Sequence, residues 1–159
     1  MFHLNYLFHT VAAVSLKNAI RGEDYEVLNE IKLNFRPRFE ETDLSWTASS
    51  PGWIWLLEDS LFCAWSVGSG SFVHYKDVTS REALEILERY PITKASFKDA
   101  VYTKALEEED LERFRFLKLK RCFCGGQPVN TQMVKKWKEQ TGIELWDTYG
   151  QTETVGSLK

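Results

Sequence analysis

Five consecutive residues near the end of the chain, Tyr149-Gly150-Gln151-Thr152-Glu153, combine side chains suited to a phosphorylated, base-bearing ligand. A tyrosine ring can stack on a base, and a glycine lets the backbone approach a ligand closely. A threonine hydroxyl can donate to a phosphate oxygen, and a carboxylate can hold a hard cation such as Mg²⁺. A plain turn tolerates the same residue types, so the pentapeptide alone leaves both readings open. A second turn, Gly125-Gly126-Gln127-Pro128, precedes it along the chain.

The elements around these turns decide whether they can meet. Thr79-Ser80-Arg81-Glu82 reads as a capping box, threonine first and glutamate three later. It opens a helix through Tyr90 with Ala83, Leu84, Ile86 and Leu87 on one broad apolar face. Pro91 ends that helix, and 92–97 reads as a short buried strand. A helix over 99–106 trails into the solvated acid run Glu107-Glu108-Glu109-Asp110. A strand over 117–124 then leads into the glycine turn. Asn130 caps the next helix, which carries a Met133, Val134 and Trp137 stripe read as core packing and stops at Gly142. A final strand over 143–147 delivers a loop over 148–153. Val67-Gly68-Ser69-Gly70-Ser71 lacks the lysine and following helix of a phosphate loop, so it is expected to turn into a strand over 72–75.

Alternating helices and strands imply an α/β fold, a partial parallel β-sheet with flanking helices and right-handed crossovers. Ligands on such sheets bind beyond the carboxyl ends of the strands. Both motif turns follow strand ends, so the topology lets them meet on one edge of the sheet. Leu84, Leu87, Val134 and Trp137 are the predicted core.

Composition narrows the function classes. The 159 residues, 43% hydrophobic and 14% aromatic, suffice for a folded domain with a real core. A net charge of −3 gives no electrostatic reason to expect nucleic acid as a partner. The longest apolar run, Trp53-Ile54-Trp55-Leu56-Leu57, stops at Glu58, so no membrane span is predicted. Cys122 and Cys124 sit two apart on a strand and share a face; with Cys63 they read as buried thiols in a reducing compartment.

The first 42 residues carry no motif tied to the rest. Phe2, Leu4, Tyr6 and Phe8 alternate as on a strand, 14–19 suits a helix, and Arg36-Pro37-Arg38 reads as a polar break. Residues 1–22 hold Lys17 and Arg21 and no acid, as a transit peptide can, although they are poorer in arginine and serine than most presequences.

With YGQTE, the turn GGQP before it and the helix ending KWKEQTG, the chain resembles the adenylate-forming synthetase superfamily. Within it the similarity is greatest to the medium-chain acyl-coenzyme A synthetases. The resemblance is dense over 121–154, recognisable from Leu44, and without counterpart over 1–42. It implies that residues 43–159 are a slice of the large N-terminal domain of an adenylate-forming enzyme. The implied activity is joining a medium-chain fatty acid to coenzyme A through an acyl-adenylate, using ATP and Mg²⁺, in the mitochondrial matrix.

The same resemblance implies residue roles. Gly125, Gly126 and Gln127 would line the adenine and Tyr149 would stack on it. Asp147, Thr148, Tyr149, Gly150, Gln151 and Thr152 would form the nucleotide-binding segment, with Thr152 at the α-phosphate and Glu153 on Mg²⁺. Trp53 matches a tryptophan bordering the acyl pocket, with ordinary core packing the alternative. Two departures bear on activity. Phe97-Lys98-Asp99 stands where the family has a small Gly-Ala-Pro turn, so the acyl channel is expected to be narrowed or charged. The family's phosphate loop and small C-terminal domain have no counterpart in these residues. A fragment inactive alone is therefore the first expectation, and a non-catalytic nucleotide- or partner-binding protein the second.

Overall fold

The computed structural model describes residues 39–158, except 51, 66, 75, 109, 117 and 152–155. These residues fall within one compact unit, Phe39–Lys159. The expectations for 2–8, 14–19, 36–38, the transit peptide, Thr152 and Glu153 lie outside the described residues.

Five parallel strands form the sheet: β1 (Leu44–Thr47), β2 (Gly70–Ser71), β3 (Lys94–Lys98), β4 (Arg121–Gly125) and β5 (Glu144–Gln151). A sixth, β6 (Gly156–Leu158), pairs antiparallel with the end of β5. Among the described residues the order is β2-β1-β3-β4-β5-β6. The parallel α/β architecture read from the sequence is the one observed.

Three helices connect the strands: α1 (Ser80–Arg89), α2 (Asp99–Ala105) and α3 (Thr131–Thr141). Thr79 and Glu82 close the expected capping box: the Glu82 amide donates to Thr79 Oγ1 at 3.2 Å and the Thr79 amide to Glu82 Oε2 at 2.9 Å. The Thr79 amide, and with it the Thr79 hydroxyl donating to the same oxygen, holds the Glu82 carboxyl below its usual pKa. Asn130 caps α3 through the Gln132 amide at 2.9 Å, and Gly142 ends it at φ 74°.

Strand alternation divides the sheet into two unlike faces. One carries Trp46, Ala95, Phe97, Cys122, Cys124 and Leu145, all buried in one apolar core with Ala83, Leu84 and Leu87 of α1, Tyr102 of α2 and Trp137 of α3. Trp46 meets Phe97 edge-on at 4.9 Å, and Tyr102 meets Trp137 edge-on at 4.9 Å. Tyr102 also donates its hydroxyl to the Phe123 carbonyl at 3.0 Å, tying α2 to β4. Val134, expected inside, is half-buried at the rim of this core.

The opposite face is polar. Ser45 and Thr47 of β1 stand in register with Lys94 and Ser96 of β3. A π-helical segment, Leu56–Phe62, continued by a short α turn, Cys63–Trp65, lies against it. Asp59 accepts from Ser96 Oγ at 2.6 Å and Thr47 Oγ1 at 3.1 Å, while Ser60 Oγ meets Thr47 Oγ1 at 2.6 Å. Ser71 donates to the Ser60 carbonyl. No helix among the described residues is long and apolar enough to cross a membrane.

Four boundaries differ from the sequence expectation. The strand expected over 92–97 runs Lys94–Lys98, because Tyr90 and Ile92 still close a turn after α1. The strand expected over 117–124 runs Arg121–Gly125, and the one expected over 72–75 is not found at 72–74: a two-residue strand, Gly70–Ser71, stands before it where a turn was expected. The loop expected over 148–153 begins as strand: Thr148 pairs with Gly125, and Tyr149, Gly150 and Gln151 pair with β6.

Candidate functional site at the carboxyl edge of the sheet

Lys98, Gly125 and Thr148 stand level across β3, β4 and β5. Gly125 is required there by space. A Cβ on it would lie 2.7 Å from Thr148 Oγ1 and 2.8 Å from the Thr148 carbonyl oxygen, closer than any side chain tolerates. The Thr148 hydroxyl is meanwhile fixed by donating to the Cys124 carbonyl at 2.9 Å. The two motif segments therefore meet, with the Thr148 side chain filling the space a Gly125 side chain would need.

Gly126 follows at φ 92°, a left-handed conformation that favours glycine, and a Cβ there would find nothing within 4 Å. Gln127 and Pro128 are exposed, leading to the Asn130 cap. Along β5, Asp147 is exposed opposite Cys124, and the Tyr149 ring is 57% exposed. Open space at Gly126 beside an exposed tyrosine fits a flat heterocyclic base: the ring offers a stacking face, and the backbone a close approach. Gly150 and Gln151 continue β5; Thr152 and Glu153 lie outside the described residues.

Two tryptophans complete the edge. Trp55 comes within 3.5 Å of the Cβ position of Gly125. Trp53 is 54% exposed, so ordinary core packing does not describe it, and Lys98 Nζ lies 4.9 Å from its ring centroid. Phe97, expected to narrow a channel here, points instead into the helix-side core between Trp46 and Tyr102. Of the expected Phe97-Lys98-Asp99 segment, Lys98 stands at the edge beside Trp53, and Asp99 opens α2, half-buried.

Burial pushes the Cys122 thiol up to about 12, and burial, with Asp99 and Asp147 nearby, does the same to Cys124, so neither is a nucleophile. Among the described residues no group of three His, Cys, Asp or Glu side chains could hold a metal ion. A groove of about 260 Å³ lined by Phe72, His74, Glu82, Glu85, Ile86, Arg89 and Tyr90 includes none of the predicted site residues.

The AMP-binding enzyme family model matches residues 13–158. The chain belongs to this family. The match begins upstream of Leu44, where the motif resemblance starts. Acyl-coenzyme A synthetase ACSM4, mitochondrial, of Rattus norvegicus is 39% identical over 113 residues, 70% of this chain and 19% of that protein. Acyl-coenzyme A synthetase ACSM5, mitochondrial, of Homo sapiens is 39% identical over 119 residues, 72% and 20%. This AMP-binding chain thus spans about a fifth of the length of the curated relatives it matches. Its fold is shared with the anthranilate CoA ligase AuaEII in complex with anthranoyl-AMP, with a TM-score of 0.70 and 20% identity over 75% of this chain and 23% of that one. A benzoate CoA ligase from Burkholderia xenovorans LB400 gives a TM-score of 0.69 with 18% identity over 75% and 24%.

Sequence reasoning missed Trp55 at Gly125 and the Asp59 network. A signal for the network existed: polar residues alternate at Ser45 and Thr47 and again at Lys94, Ser96 and Lys98. That is the pattern of a sheet with one polar face.

Proposed function

We propose that this chain carries the base-binding wall of an acyl-CoA synthetase. ATP and a medium-chain carboxylic acid would react so that a carboxylate oxygen bonds to the α-phosphorus and diphosphate leaves. The thiol of coenzyme A would then attack the acyl carbonyl, lose its proton and expel AMP. The observation that carries the reading is the close register of Gly125 with Thr148, which leaves no room for a side chain on Gly125 and supports Gly126 and Tyr149 sharing one edge in a chain of the AMP-binding family.

Gly125, Gly126 and Gln127 border the adenine in this reading, and Tyr149 stacks on it. The segment from Asp147 to Thr152 follows the nucleotide, with Thr152 donating to the α-phosphate. Glu153 would hold Mg²⁺, which supplies positive charge to the phosphates when bound. Trp53 borders the acyl group. Pre-placed donors lower the barrier because negative charge builds at the phosphoryl oxygens as the carboxylate attacks. The mitochondrial names of the relatives support a mitochondrial location.

A chimera tests this: residues 44–159 replace the matching segment of the rat ACSM4 relative, and pyrophosphate release is followed with ATP, Mg²⁺ and an eight-carbon acid. The chimera is expected to turn over, and Tyr149→Ala within it to lose most of that rate. A folded chimera that releases no pyrophosphate contradicts the reading.

A further inference from the structure

We propose that Lys98 makes this site select an acid with a second anionic group at its far end, a medium-chain dicarboxylic acid rather than a plain fatty acid. The inference rests on the base-binding reading above and adds the substrate class.

Lys98 stands level with Gly125 and Thr148, one strand away from Gly126 and two from Tyr149, on the same edge and sheet face as Gly125. A co-substrate that must reach a nucleotide held at Gly126 and Tyr149 has the neighbouring strand end beside it, and there it meets Trp53, Trp55 and Lys98. Trp53 offers more than half its surface. The Lys98 ammonium is held over that indole face, 4.9 Å from its centroid. Phe97 on one side of Lys98 is committed to the core, so the cation is the group β3 presents at this edge.

An alkyl tail laid across Trp53 would strip water from this ammonium and return no hydrogen bond, which is costly. A terminal carboxylate would accept from the ammonium while the methylene chain still covered the indole. The reacting carboxylate cannot serve both ends. If Lys98 held it, the oxygen would be drawn away from the nucleotide, so a single-headed acid is misplaced and a two-headed one is not. Lys98 is therefore a specificity residue, acting on the end of the acid remote from the chemistry.

The test uses the intact 159-residue chain. Suberate and octanoate, dicarboxylate and monocarboxylate of equal length, are titrated while the Trp53 indole N–H resonance is followed. AMP is titrated separately while the Gly126 and Tyr149 amides are followed. Suberate is expected to half-saturate at a concentration about threefold lower than octanoate, the range of an exposed charge pair. Lys98→Met is expected to abolish that preference and Lys98→Arg to retain it. Equal or tighter octanoate binding, no response of Trp53 to either acid, or a preference surviving Lys98→Met overturns the proposal. AMP shifts absent while the suberate preference holds would contradict the base-binding reading and support the role of Lys98.

Discussion

Gly125 shows how a single hydrogen in place of a methyl group decides whether this edge exists. A Gly125→Ala methyl would overlap both the hydroxyl and the backbone carbonyl of Thr148. Gly125→Ala is therefore expected to cost about 1–3 kcal/mol in urea unfolding, and pairing it with Thr148→Ser should not restore stability, because the carbonyl clash remains. Lys94 gives a second residue-scale test. It is wholly buried on the polar face, over the Phe39 ring at 3.0 Å and 5.2 Å from Phe123, and its Nζ has no hydrogen-bond acceptor among the described residues. Burial pulls its pKa down to about 8 despite Asp59 and Asp43, with Arg121 adding to the fall. Because the folded pKa lies below the unfolded one, the unfolded chain holds the extra proton between about pH 8 and 10.5, and Lys94 destabilises fully below about 8. Lys94→Met is expected to be more stable than the parent at pH 7, by at most about 3 kcal/mol, with the gap closing as pH rises from 8 to 10.5. A gap independent of pH contradicts this. The glycines and Tyr149 were legible because their chemistry is local. The exposure of Trp53, in a bend before the π-helical segment, and the burial of Lys94 on β3 were not, since both depend on what residues distant in sequence pack against them.

Helix ends were the most legible elements, because a cap is written in two or three adjacent residues. Thr79 with Glu82, Asn130 and Gly142 all act where the sequence puts them. Asn130 also anchors the turn that begins at Gly125, so it links element stability to the site. Asn130→Ala is expected to cost about 1 kcal/mol in unfolding and to weaken AMP binding, read by calorimetry. Loss of stability with AMP affinity unchanged would separate the cap from the site. Strands were less legible. The end of β5 looks like a loop in composition, yet β6 supplies it with antiparallel partners, a pairing no local pattern announces. The π-helical segment Leu56–Phe62 was likewise unread, since its polar contacts to Thr47 and Ser96 come from residues distant in sequence.

At the scale of the molecule, the sheet is apolar on the face covered by α1, α2 and α3 and polar on the other. The motif turns and the Trp53–Lys98 pair gather at the carboxyl ends of its strands. The parallel order followed from helix and strand alternation alone. These residues supply a stacking ring, backbone at Gly126 and one hydroxyl segment, so the 159-residue chain on its own is expected to bind nucleotide no tighter than about millimolar, near −4 kcal/mol. Catalysis also needs carboxylate and phosphorus held at near-attack distance, worth roughly 7–11 kcal/mol, so no acyl-CoA is expected from it. Pyrophosphate release from this chain above that of a Tyr149→Ala, Glu153→Ala control would contradict that expectation. Amide shifts of the chain titrated with AMP are predicted to move most at Gly126 and Tyr149 and to vanish in Tyr149→Ala. Shifts centred instead on the Phe72, Arg89 and Tyr90 groove, or unchanged by Tyr149→Ala, would contradict it.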